Sequence, residues 1–214
     1  MLRRIPIWFL CLGLVACAPT SAGSPSAGLP TPILAQSYQG LESGSLIFGR
    51  RHGAAVVIAP GLAVTNAHNA NLLDDGQILG TSTTYDLLFF RTDRAVGSKI
   101  AQPRLGQRVV AYGQGFKAEL REASGRVLAL DAPVAPRCAA CALQKAFTFD
   151  ASAGKGFSGG PVVDPGSGAV VGITFGFRDQ EGMRGRLMYA YPMDLVLSEA
   201  ERIIGLGLTA RSGS

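Results

Sequence analysis

The sequence predicts an all-β domain, a barrel or sandwich of many short strands, closed by one C-terminal helix. Two observations carry this. From about residue 42 onward, short apolar runs alternate with Gly-, Pro- and Asp-rich turn signals. Helical periodicity is convincing only once, at the end of the chain.

The elements follow in order. "SLIFG" opens the domain, and "GAAVVIAPGLAVTNA" reads as a hairpin, two apolar runs split by "APG". "QILGTSTT", "DLLFFRT", "QRVVAYGQG", "GRVLALDA" and "AFTFDAS" read as further strands. In "GPVVDPGSGAVVGITFGF" valine-rich arms flank a loop containing proline and two glycines, a second hairpin. "RLMYAYP" is the last strand. The helix "MDLVLSEAERIIGLG" sets Leu195, Val196, Ala200, Ile203 and Ile204 near one face, with Asp194 as the expected N-cap and glycine at its end. Roughly 165 residues suffice for one core, or for two six-stranded barrels with trimmed loops.

With 47% hydrophobic and 16% charged residues, disorder throughout is excluded. The formal charge of +5 falls to +3 if Arg3 and Arg4 leave with a leader. Scattered charge of that size does not argue for a nucleic-acid partner.

Such a leader is legible. "MLRR" is basic, and "IPIWFLCLGLVA" is apolar but too short for a resident transmembrane helix. It ends in "LVAC", which resembles a bacterial lipobox, with Cys17 acylated and made the first residue by cleavage. An ordinary signal peptide cut nearby, or an uncleaved anchor, are the alternatives. "APTSAGSPSAGLPTP" then reads as a flexible tether holding a domain off a membrane. The expected organisation is a leader over 1–16, a tether over 17–41, the folded domain over 42–207 and a tail over 208–214. The expected location is the bacterial cell envelope, lipid-anchored, facing the periplasm (outer membrane in preference to inner) or the exterior.

Cys11 leaves with that leader, so the folded domain keeps only Cys138 and Cys141, as "CAAC" in a Pro-rich loop. A small local disulfide is the default in an oxidising compartment. A reactive thiol pair and half a zinc site are the other readings. Zinc would need two more ligands, and the chain has no second pair and only two histidines. No metal or other cofactor is implied.

Three fragments belong together. "AVTNAHNA" places His68 just past a strand, "TYDLLFF" places Asp86 at the start of an apolar strand, and "GKGFSGGP" presents Ser158 among glycines. A serine hydroxyl needs an imidazole to take its proton, and a buried carboxylate to fix the imidazole tautomer. It also needs N–H donors where the oxyanion forms, and the N–H groups of Gly156 and Ser158 are the candidates. Each fragment alone has a bland reading: a surface histidine, a strand-edge charge, a tight turn. His, Asp and Ser in that order, each beside a strand, form the catalytic candidate. His52, in "GRRHG", reads as an exposed turn residue. Asp74 and Asp75, in the polar "LLDDGQ", lack a buried strand to shield them, so Asp86 is preferred.

On these fragments the chain resembles the trypsin-like (chymotrypsin-fold) serine peptidases, and most of all the bacterial HtrA-type protease domain. "VVIAPGLAVTNAHNA", "YDLLFFRT", "LGQRVVAYGQG", "FDASAGKGFSGGPVVDPGSGAVVGITF" and "YAYPMDLVLSEAERI" carry the resemblance across most of residues 44–205. It implies two perpendicular six-stranded barrels, about 42–103 and 104–207, with the site between them. It also implies peptide-bond hydrolysis of a protein or peptide substrate. Ser152 and Thr174 are the implied lining of the substrate pocket, and a neutral small residue at 152 suggests an apolar or small side chain there. Three departures stand out. Phe157 precedes the serine where animal trypsins carry an aspartate, so activation by a freed N-terminus is not expected. Only 18 residues separate His68 from Asp86, implying a clipped first barrel. No PDZ-like region follows the helix. A catalytically silent binding module on the same scaffold is the alternative function.

Overall fold

The computed structural model describes residues 24–25, 36–45, 49–115, 117–134, 144–179 and 185–205. Cys17, Cys138 and Cys141 lie outside them. The strands are β1 (Ser24–Pro25), β2 (Tyr38–Ser45), β3 (Gly49–Ala59), β4 (Leu62–Thr65), β5 (Ile78–Thr81) and β6 (Leu88–Arg91). They continue as β7 (Arg108–Gln114), β8 (Leu120–Val134), β9 (Gln144–Ala151), β10 (Pro161–Val163), β11 (Val170–Asp179) and β12 (Arg186–Pro192), before the helix Met193–Ile204.

Two sheets form. The second runs β8-β7-β10-β11-β12-β9, and β9 pairs back onto β8, closing a six-stranded barrel. The first runs β2-β3-β4-β6-β5, five strands among the described residues. The short span from His68 to Asp86 explains the clipping: after a 3-10 turn it holds only the four-residue β5. Both expected hairpins are present, β3–β4 through Gly61 at φ 74° and β10–β11 through the Asp164–Gly168 turn.

The apolar run in β3 is continuous because both of its faces are buried. Ala55 and Val57 point into the first barrel with Leu41, Ala63, Leu72, Leu88 and Phe90. Val56 and Ile58 point the other way, toward Val163, Ile173, Tyr191, Met193 and Val196. This second cluster joins the two sheets and the helix. A third cluster, including Phe147, Phe149, Phe157 and Val171, fills the closed barrel. Burial of an aromatic or large aliphatic side chain stabilises by about 1.5–3 kcal/mol.

Three expectations change. Ordered structure begins before residue 42: β2 starts at Tyr38 and buries Leu41, and Ser24–Pro25 pairs with Glu122 and Arg121 of β8. "GRRHG" is part of β3, not a turn, because β2 and β3 extend as a polar ribbon past the barrel, with His52 opposite Glu42. His52 is half-buried, and its Nδ1 is enclosed without a partner among the described residues. "SLIFG" falls largely on residues outside those described. Finally, Pro192 rather than Asp194 is the helix N-cap, since β12 runs straight into the helix; Asp194 instead accepts the Leu195 N–H in the first turn. Gly205 ends the helix in the left-handed conformation at φ 66°, as a C-terminal glycine does.

Candidate active site

β4 ends at Thr65, and the 3-10 segment Ala67–Leu72 carries His68. The turn is fixed from inside: the buried Asn66 donates its amide to the Asp86 carbonyl at 2.9 Å. Asp86 stands two residues before β6 and is 7% exposed. Its backbone N–H donates to the Tyr191 hydroxyl at 3.2 Å. Tyr191 is itself held by Phe175, stacked on it at 4.0 Å between centroids. Both carboxylate oxygens face His68. Oδ1 accepts the His68 backbone N–H at 3.1 Å, and Oδ2 lies 2.7 Å from Nδ1. An ionised carboxylate only accepts, so Nδ1 carries the proton and Nε2 is left as the basic nitrogen. The imidazole is partly open, with 40% of its side chain exposed.

Ser158 comes from the other barrel, in the loop between β9 and β10. That loop is a chain of tight turns: Phe157 N–H donates to Gly154 at 3.2 Å, and Gly160 N–H to Phe157 at 2.9 Å. Gly156 (φ 91°) and Gly159 (φ 82°) adopt left-handed conformations that side chains disfavour. Phe157 is fully buried in the barrel core and anchors the loop from below. The Ser158 carbonyl crosses to the first barrel, where it accepts the Ala54 N–H at 3.1 Å and the Asn69 amide at 3.1 Å. His68, Asp86 and Ser158 are therefore gathered where the two sheets meet, with Asn69 tying the histidine turn to the serine.

The Gly156 and Ser158 N–H groups have no acceptor among the described residues, so both remain available to an outside oxygen. The Ser158 hydroxyl likewise makes no hydrogen bond to His68 or to any other described residue. Thr174 is buried against the serine loop: its carbonyl accepts Gly159 N–H at 2.8 Å, and its hydroxyl has no partner among the described residues. Ser152 is exposed. Asp74 and Asp75 are exposed in the loop before β5, away from the histidine. No cluster of three metal-ligating side chains occurs among the described residues.

Sequence reasoning missed Asn66, Asn69 and Tyr191. The two asparagines had a signal, being polar residues that flank the histidine inside "TNAHNA"; both are buried in the structure. Tyr191 had none, because only the folded register of β12 brings it beside Asp86.

Residues 53–173, more than half of the chain, match the family model described as a trypsin-like peptidase domain. The chain belongs to the trypsin-like peptidases. Solved structures share the fold of this trypsin-like peptidase. The active form of the Rv3671c protease from M. tuberculosis superposes with a TM-score of 0.66 at 19% identity, covering 92% of this chain and 97% of that one. The MamO protease domain from Magnetospirillum magneticum gives 0.62 at 19%, covering 78% and 97%. The HtrA-type protease AlgW, solved with a tripeptide, gives 0.63 at 23%, covering 80% of this chain and 62% of that one. The peptidase thus spans less than two thirds of the AlgW chain. No curated protein matches its sequence significantly.

Proposed function

We propose that this trypsin-like peptidase is a serine endopeptidase that works through an acyl-enzyme on Ser158. The observation that carries the reading is the His68–Asp86 pair at 2.7 Å, joined through Asn69 to the backbone of Ser158. Ser158 Oγ attacks the scissile carbonyl while Nε2 of His68 takes its proton. The oxyanion receives the N–H groups of Gly156 and Ser158. His68 then protonates the departing amine, the C–N bond breaks, and the acyl group stays on Ser158. Water, deprotonated by His68, attacks the ester, and the carboxylate product and Ser158 are regenerated. Asp86 holds the tautomer and balances the imidazolium. A protein or peptide substrate fits this chemistry, and AlgW, of the same fold, was solved with a peptide. A lipid on Cys17 would hold the enzyme in the bacterial cell envelope, facing either the periplasm (on the outer membrane in preference to the inner) or the cell exterior.

A catalytically silent peptide-binding module is the competing reading, and the unpartnered Ser158 hydroxyl favours it. Catalytic hydrogen bonds are often long in enzymes without substrate and tighten on binding. A fluorophosphonate probe separates the two. Labelling of the wild type and none of Ser158→Ala supports the peptidase. Equal labelling, or none of either, overturns it.

A further inference from the structure

Three of the exposed large hydrophobic side chains gather on one face of the closed barrel. Leu105 is 69% exposed, Leu128 47% and Leu130 40%. Leu105 sits in a tight turn, closed by the Gln107 N–H to the Arg104 carbonyl at 3.0 Å, with Gly106 at φ 74°. That turn lies against β8, since Gly106 N–H donates to Val127 and Val127 N–H to Gln107. Along β8, Val127 points into the core while Arg126, Leu128 and Leu130 point out.

The same face is basic. Arg108 and Arg126 are direct cross-strand partners, both exposed, and like charges so placed repel. Arg126 reaches the Gly106 carbonyl at 3.1 Å, and the exposed Arg104 flanks Leu105. Among the described residues no salt bridge engages these three arginines. Three acids neighbour them. Asp150 accepts the Arg126 backbone N–H, Asp164 accepts Gly166 N–H and the Ser167 hydroxyl and also lies in the field of Arg104, and Asp131 faces Lys145, so the three arginines outnumber the one acid that acts on them through its charge.

The chain itself says what such a face meets. Ser24 stands seven residues after Cys17 and pairs antiparallel with Glu122 of β8. Antiparallel pairing points the chain toward Cys17 in the direction in which β8 runs toward Leu128. Seven residues reach at most about 25 Å, and Leu128 lies six residues along β8 from Glu122, about 20 Å. A lipid on Cys17 is therefore within reach of this patch. We propose that Arg104, Leu105, Arg108, Arg126, Leu128 and Leu130 form a surface that rests on an anionic phospholipid membrane. Leu105 enters among the acyl chains and the guanidinium groups meet the headgroup phosphates. The inference rests on the lipid-anchor reading and adds an orientation to it: the barrel bearing the serine loop lies against the bilayer.

Tryptophan reports this directly, because Trp8 is the chain's sole tryptophan. In a Trp8→Phe background, Leu105→Trp and Val96→Trp each carry one reporter; Val96 is 50% exposed in the segment between the barrels. On phosphatidylglycerol-containing vesicles Leu105→Trp emission shifts to shorter wavelength and is quenched by brominated acyl chains, while Val96→Trp does neither. Charge removal is read on the unlipidated Cys17→Ser chain. Replacing Arg104, Arg108 and Arg126 with Gln weakens its partition onto those vesicles about a hundredfold, each arginine at an anionic surface being worth roughly fivefold. An unshifted Leu105→Trp, or an equal shift at Val96→Trp, overturns the proposal. Mass spectrometry of the N-terminal peptide judges the anchor separately. A bare Cys17 with a shifted Leu105→Trp removes the anchor and supports the surface; a bare Cys17 with no shift overturns both.

Discussion

The Asn69 amide donates to the Ser158 carbonyl at 3.1 Å, so the residue after the histidine holds the backbone of the serine in the other barrel. The same amide nitrogen donates to the Thr65 hydroxyl at 3.0 Å, and that hydroxyl donates to Ala54 at 2.7 Å. Ala54 N–H is the second donor to Ser158. Asn69→Leu leaves this second donor in place, and the Thr65 hydroxyl still donates to Ala54, but the Ser158 carbonyl and the Thr65 oxygen each lose a buried donor. Unfolding in urea is expected to show a loss of about 1–3 kcal/mol. Turnover of a peptide substrate should fall further than its KM rises, because it is the approach of His68 to Ser158 that loosens.

Asp86→Asn tests the carboxylate without changing its shape. The side-chain oxygen can still accept the His68 backbone N–H, but the amide group facing Nδ1 donates, which turns the imidazole tautomer round. A drop in kcat of about 10⁴ is expected, with an unchanged melting temperature to within a few degrees. A variant that keeps near wild-type turnover would remove Asp86 from the mechanism.

Much of this was legible in the sequence because each part had a local signature. The β3–β4 and β10–β11 hairpins announce themselves through glycine- and proline-bearing turns, and His68, Asp86 and Ser158 through their position beside apolar runs. What was not legible depended on partners far along the chain. His52 reads as a turn residue because "GRRHG" has no apolar alternation, yet pairing with β2 extends the strand through it. Asp194 has the composition of an N-cap, but β12 feeds the helix two residues too early for it to serve. Tyr191 becomes part of the site only when β12 is set beside β11, over a separation of 105 residues from Asp86.

Gly159 is required by both conformation and space. Its φ of 82° is unfavourable for any side chain, and a Cβ there would collide with the Ala54 carbonyl and the Thr65 hydroxyl. Those atoms lie beside the Ala54 N–H and the Asn69 amide, which tie the serine loop to the first barrel. Gly159→Ala should cost about 3 kcal/mol or more, as backbone strain and overpacking combine. Circular dichroism melting will show the loss. If the variant still folds, probe labelling of Ser158 should fall with it, whereas unchanged stability and labelling would mean that the loop conformation is not fixed by this contact.

Glu199 makes a pH-dependent clamp on the turn before Asp86. It is 8% exposed on the C-terminal helix and receives Arg202 through two nitrogens, at 2.9 and 2.8 Å. The Ser82 hydroxyl also donates to it, and the Ser82 oxygen accepts the N–H groups of Thr84 and Tyr85. The hydrogen bonds from Arg202, followed by that from Ser82, outweigh burial and hold the Glu199 carboxyl below its ordinary 4.5. A carboxylate whose folded pKa is depressed contributes stability above its unfolded pKa and loses it as pH falls through the folded value. Wild type should therefore exceed Glu199→Gln in stability at pH 7, by about 1 kcal/mol, because the Arg202 side chain is half exposed and solvent screens the pair. The gap should hold down to about pH 4.5 and close below it as Glu199 takes up its proton. Urea titrations of both proteins from pH 7 to pH 3 check this. A gap that does not change with pH would show that the variant loses packing rather than the charged pair.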